Sequence, residues 1–172
     1  MFWEWVCAAG RELLLLRVQQ LLAGCPAFAG LLQYERLENL LYLRRDELPC
    51  LWVDAAAFPV LQVGFAFGHL QVEAEGGELL LLRAVQELAE LLRGSGGLEL
   101  YCEGGWCHLY WRQFLPYAAL QSQEAFNTYI LGVSAQVQRR LHPALSAVVE
   151  GYQKELEEEE RDLQAVESEF NG

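Results

Sequence analysis

The chain has 172 residues, 53% of them hydrophobic, and a formal net charge of −12 at pH 7. That length suits one domain with a real core, and so large an apolar share excludes a disordered chain. The charge argues against nucleic acid as a partner, since phosphate binding draws on Lys and Arg. No uninterrupted apolar run approaches the roughly 20 residues of a transmembrane helix, so no membrane span is expected.

The chain opens Met1-Phe2-Trp3-Glu4-Trp5. This lacks the basic region of a signal peptide, and Glu4 and Arg11-Glu12 interrupt the apolar run, so a cytoplasmic location is expected. Glu12 to Leu22 reads as a helix with Leu14, Val18, Leu21 and Leu22 on one side, stopped by Gly24 and Pro26. The pattern allows a start as early as Phe2, with Gly10 a weak point inside it. Trp3 and Trp5 would then be anchors on the domain or on a second subunit, with core packing the expectation.

Ala27 to Arg45 fits either a short helix or an irregular strand through Leu32, Tyr34, Leu37, Leu40 and Leu41. Three strands are expected next: Cys50 to Asp54, Pro59 to Phe67 and His69 to Glu75. Gly64 suggests a bulge or close packing, and Gly68 a turn between the last two strands. Glu78 to Arg93 reads as a helix with Leu81, Val85, Leu88 and Leu92 as its stripe, broadened by Leu80, Ala84 and Leu91. Gly94-Ser95-Gly96-Gly97 stops it.

The sharpest local signal follows. Leu98 to Glu103 and Trp106 to Trp111 flank Gly104-Gly105, and two glycines supply the positive φ angles of a type I′ turn. The register pairs Glu103 with Trp106, Cys102 with Cys107, Leu100 with Leu109 and Leu98 with Trp111. Alternation puts Leu98, Leu100, Cys102, Cys107, Leu109 and Trp111 on a core face. Tyr101, Trp106, His108 and Tyr110 fall on the other face with Glu99 and Glu103, expected to be half-solvated or to meet a partner. Cys102 and Cys107 face each other as in a cross-strand disulfide, which a reducing compartment disfavours, so five free thiols are expected.

Pro116 ends the strand, and Ser122 is placed to cap a long helix with Glu124 in its first turn. Phe126, Ile130, Val133, Val137, Leu141, Leu145, Val148 and Tyr152 form one apolar stripe, which Pro143 should bend. Beyond Glu150 the helix turns acidic around Glu157 to Glu160, with a sparse stripe of Leu156, Leu163, Val166 and Phe170. The expected organisation is a single domain over residues 1–150 and an acidic helical extension over 151–172.

No catalytic constellation, nucleotide loop or metal-ligand spacing occurs. The glycines of 94–97 follow a helix and open a strand, the reverse of a P-loop. His69, His108 and His142 form no HExxH or HxH, and Cys107 and His108 point to opposite faces of one strand. The chain is therefore read as non-enzymatic, with no cofactor and no metal.

The order helix, three strands, helix, hairpin, Leu-Pro corner, long helix resembles the class I type III secretion chaperones and their YbjN-like relatives. The run YWRQFLPYAALQSQEAFNTYILGVSAQVQRRL carries the likeness, which covers about Leu98 to Leu145. It implies an α+β domain, commonly dimeric, that binds a protein segment without catalysis. Ala27 to Asp46 and the helix after Tyr152 depart from that layout.

Two function classes follow. In the first, a chaperone-like protein-binding module dimerises on the middle helix (Leu80, Ala84, Leu91) or on the long helix. It holds a client by strand addition at the edge of the sheet or at the outer hairpin face, including Tyr101, Trp106 and Tyr110. In the second, the chain is a small-molecule binder or an enzyme with an apolar pocket between sheet and helix, lined by Trp52, Phe65, Phe67 and Trp111. Simple core burial of these aromatics is the expectation.

Overall fold

The computed structural model describes residues 1–28, 32–46, 48–94 and 96–170, the side chain of residue 32 excepted. Helix α1 (Phe2–Ala23) leads by a short turn at Pro26–Phe28 into four strands: β1 (Leu32–Leu37), β2 (Leu40–Arg45), β3 (Leu48–Asp54) and β4 (Gln62–Gln71). Helix α2 (Gly77–Leu92) precedes the hairpin of β5 (Gly97–Glu103) and β6 (Trp106–Phe114). Helix α3 (Gln123–Gln136), one turn of π-helix (Val137–Leu141) and helix α4 (His142–Phe170) complete the chain. The class is α+β, and the six strands form one antiparallel sheet in the order β1-β2-β3-β4-β6-β5.

The hairpin has the register that its turn dictates, with Cys102 opposite Cys107 and Leu98 opposite Trp111. Gly104 and Gly105 take φ of 58° and 79°, the left-handed pair that lets two strands meet across two residues. Upstream, the ambiguous stretch resolves into the β1–β2 hairpin. Two of the expected strands are one: β4 runs through Gly68, with a bulge between Ala66 and Gly68 that lets a single strand pair with all of β6. Gly68 is a point of close packing, because a Cβ there would strike Leu145 of α4.

All helices cover one face. Leu15, Val18 and Leu22 of α1, Ala84 and Leu88 of α2, and Phe126, Ile130, Leu141 and Leu145 of the last helices are buried there. Leu41, Leu43, Leu51, Val53, Phe65, Leu109 and Trp111 of the sheet meet them. Burying each large apolar side chain contributes about 1.5–3 kcal/mol, so this layer dominates the fold. Leu100 and Cys102, expected in it, are exposed because β5 is an edge strand that the helices only partly cover.

Ser122 caps α3, its Oγ accepting from the Ala125 N–H at 3.1 Å. Pro143 cannot supply an N–H for the helix ladder, and the chain absorbs this with the π-turn just before it. α1 begins at Phe2 and passes through Gly10 unbroken. Trp3 and Trp5 are 72% and 69% exposed, which corrects the expectation that they pack in the core. Among the described residues no helix is long and apolar enough to cross a membrane.

Candidate functional site

The site lies on the face of the sheet turned away from the helices. Strands β2 and β5 are separated there by β3, β4 and β6. In a flat sheet four steps of about 4.8 Å would hold them about 19 Å apart. Yet Arg44 Nη2 of β2 lies 3.8 Å from Glu103 Oε2 of β5, while Arg44 Nε also lies 3.6 Å from Glu35 of β1. The sheet therefore coils strongly about this face and makes it concave, the accumulated result of right-handed strand twist.

Alternation on the strands sends Tyr42, Trp52, Tyr101 and Tyr110 into the hollow. Trp52 lies flat over Gly64, where a Cβ would overlap its indole, and its ring stands 6.3 Å from Tyr110 at 58°. Tyr110 is 1% exposed, so the outer hairpin face is a second small core at this point and not the half-solvated surface expected of it. Burial pushes the Tyr110 phenol well above its ordinary value, with Tyr42 adding to the rise and Arg44 opposing it. Burial likewise raises Tyr42, helped by Tyr101 and Glu99.

Between the β2 side and β5 an open cleft of about 170 Å³ remains, lined by Tyr42, Trp52, Asp54, Glu99, Tyr101 and Arg112. Glu99 Oε2 is buried in it without a hydrogen-bond partner, although Arg112 Nη1 is 3.8 Å away. The ion pair is longer than a hydrogen bond, so a donor entering the cleft would add one to this carboxylate. Deeper along the same face His69 and His108 meet with their Nδ1 atoms 2.7 Å apart, and Tyr101 stacks on His108 at 6.4 Å. Burial holds both imidazoles below their ordinary value.

The predicted partner residues are thus divided. Tyr101 and Trp106 are exposed at the rim of the hollow, 46% and 43%, and Tyr110 forms its floor. Leu80, Ala84 and Leu91 do not present a free face: Ala84 is fully buried, and Leu80 and Leu91 pack against the core. Beside Leu91 a groove of about 500 Å³ runs between α2 and α4, bounded by Arg83, Gln86, Ala144 and Val148. The aromatics assigned to a sheet–helix pocket are split as well, since Phe65, Phe67 and Trp111 are core while Trp52 lies on the opposite face.

Sequence reasoning did not find Tyr42, Arg112 or the His69 contact as parts of this site, and it placed Glu99 on this face only as one of its polar residues. The alternation of Tyr42 with Leu41 and Leu43, and of Trp52 with Leu51 and Val53, was the available signal. Comparison with protein-family models, with curated proteins and with solved structures gives no match for this chain.

Proposed function

We propose that the chain is a non-catalytic, chaperone-like protein-binding module, similar in kind to the class I type III secretion chaperone and YbjN-like domains, acting as a homodimer in the cytoplasm. Its client is an extended segment that adds to the β5 edge and drops side chains into the aromatic cleft. The observation that carries this reading is the coincidence of two features at β5. It ends the sheet, so among the described residues one side of its backbone has no strand beside it, and Leu100 and Tyr101 on it are exposed next to the cleft. Exposed edges recruit strands, and pockets beside them read alternate side chains. The Glu99 carboxylate, held by Arg112 only through a 3.8 Å ion pair, suits an incoming N–H.

Self-association has separate support. Phe2, Trp5, Leu13 and Leu16 of α1 are exposed at helical spacing on one side of that helix. Apolar stripes of this size on a small domain mark interfaces.

A small amine-bearing ligand in the cleft is the second reading, favoured by the same Glu99 oxygen. A volume of about 170 Å³ falls below the roughly 300–1,000 Å³ typical of ligand sites, so the peptide reading ranks first. The test is a tagged pull-down from the native cell extract, run with the parent chain and with a Leu100→Lys, Tyr101→Glu variant and read by mass spectrometry. A stoichiometric partner that the variant loses supports the module. A partner held equally by both moves the site elsewhere, and a clean bait carrying a co-purified metabolite favours the ligand.

A further inference from the structure

The last helix outruns the body of the protein. Its final ties are Tyr152, whose hydroxyl donates to the Gly76 carbonyl at 2.9 Å, and Glu155, whose Oε2 is 2.5 Å from Arg83 Nη1. Every residue from Gln153 to Phe170 is exposed. At about 1.5 Å per residue, residues 156–170 project roughly 22 Å. An isolated helix of this length is marginal in water unless something packs along it.

The residue pattern specifies what kind of packing. From Tyr152 the positions Leu156, Glu159, Leu163, Val166 and Phe170 recur at alternating steps of four and three, the a/d seam of a coiled coil. Leu163 and Phe170 on that seam are 65% and 87% exposed. The positions flanking the seam, which set partner choice, are Glu155, Glu160, Asp162, Glu167 and Glu169. The two cations of this stretch, Lys154 and Arg161, lie on the side of the helix away from the seam, where Arg161 pairs with Glu157 one turn back.

A second copy is the wrong occupant. In a parallel pair Glu155 would meet Glu160 of the other helix and Asp162 would meet Glu167, with Glu159 against itself. An antiparallel pair also places acid against acid. Such juxtapositions select against a partner. We propose that this seam docks an amphipathic helix of a different protein, apolar at its own a and d positions and carrying Lys or Arg at the flanking positions. This interaction is independent of the cleft at β5.

The test measures fluorescence anisotropy of the full chain with two labelled three-heptad peptides, both with Leu at a and d. One has Lys at the flanking positions and the other Glu. The expected result is binding of the Lys peptide only, weakened at 1 M salt as screening shortens to about 3 Å. Two variants of the projecting segment should fold as the parent does, because every residue they change is exposed. Glu160→Lys, Asp162→Lys, Glu167→Lys, Glu169→Lys should lose at least about tenfold in affinity for the Lys peptide and acquire the Glu peptide. Leu163→Ser, Phe170→Ser keeps every charge and should also lose at least about tenfold. Undiminished binding by the Ser variant would reduce the interaction to bulk charge and overturn the proposal. So would absence of binding by the parent chain, or sedimentation showing self-association that Leu163→Ser, Phe170→Ser abolishes.

Discussion

His69 and His108 stand opposite each other on β4 and β6 with their Nδ1 atoms 2.7 Å apart, so one ring must donate and the other accept. That bond exists only while at least one imidazole is neutral. Burial lowers both from the ordinary value of 6.5, and for His69 the charge of His108 adds to the effect. The unfolded chain therefore binds more protons than the folded one below about pH 6.5, and stability rises with pH through that window. Above it the two states are equally deprotonated at these sites and the contribution is constant. Denaturant midpoints measured between pH 5 and 8 should fall on the acid side. His69→Asn, which keeps a side-chain polar group without a titrating ring, should flatten that slope. An unchanged slope would remove the pair from the acid response.

Two glycines should respond in opposite directions to the same change. Gly64 leaves the space that the Trp52 indole fills, so Gly64→Ala forces the ring off its seat and off Tyr110. Overpacking of this kind costs about 1–3 kcal/mol. Gly132 lies within α3 with nothing near the position a Cβ would take. Gly132→Ala should stabilise by about 0.5–1 kcal/mol through helix propensity. Urea midpoints of the two variants, moving apart on either side of the parent, check both.

How much of this was legible in the sequence depends on how local the cause was. The β5–β6 register was readable because Gly104-Gly105 fixes it within two residues, and the Ser122 cap because one hydroxyl and one N–H decide it. The β1–β2 hairpin hid because its turn, Glu38-Asn39, is built without a positive φ and so carries no glycine. Gly68 misled because a glycine marks a turn or a close approach equally well, and only the position of Leu145 decides between them. The burial of Tyr110 was out of reach, since it follows from the coil of six strands that brings Arg44 to Glu103, residues far apart in the chain.

The thiols of the hairpin should be chemically unequal. Cys102 is exposed on the edge strand, whereas Cys107 is buried on the strand inside the sheet. Burial, with the Cys102 side chain as its hydrogen-bond neighbour, pushes the Cys107 thiol up to about 12. Thiolate is the reactive species, so Cys107 stays inert at neutral pH. Iodoacetamide treatment of the native chain, followed by peptide mass spectrometry, should modify Cys102 well before Cys107. Equal labelling would mean that the hairpin opens readily.

If α1 is the dimer surface, charge placed on its outer stripe should separate the subunits without unfolding them. Trp5 and Leu13 are 69% and 68% exposed, so Trp5→Glu, Leu13→Glu removes no core contact and should change monomer stability by no more than about 0.5 kcal/mol. Sedimentation equilibrium should show a dimer for the parent chain and a monomer for the variant. A parent chain that is monomeric at every accessible concentration would sink the homodimer.

The projecting helix is held to the body by Tyr152, and its role can be separated from that of the segment beyond. Tyr152 is buried, donates to the Gly76 carbonyl at 2.9 Å, and carries the Arg83 guanidinium 5.3 Å from its ring centre. Gly76 has φ of 73° at the start of α2, so the hydroxyl ties the end of the body part of α4 to the turn that begins α2. Tyr152→Phe keeps the ring and loses the hydrogen bond. It leaves the Gly76 carbonyl without that donor and should cost about 0.5–1.5 kcal/mol. Tyr152→Ala also removes a buried aromatic and should cost about 3–5 kcal/mol, as other buried aromatics do. Deleting residues 157–172 should leave the denaturation midpoint of the body within about 0.5 kcal/mol of the parent, because residues 157–170 are exposed and lie beyond the last tie to the body. A truncation as damaging as Tyr152→Ala would show that the acidic end packs on the domain in solution.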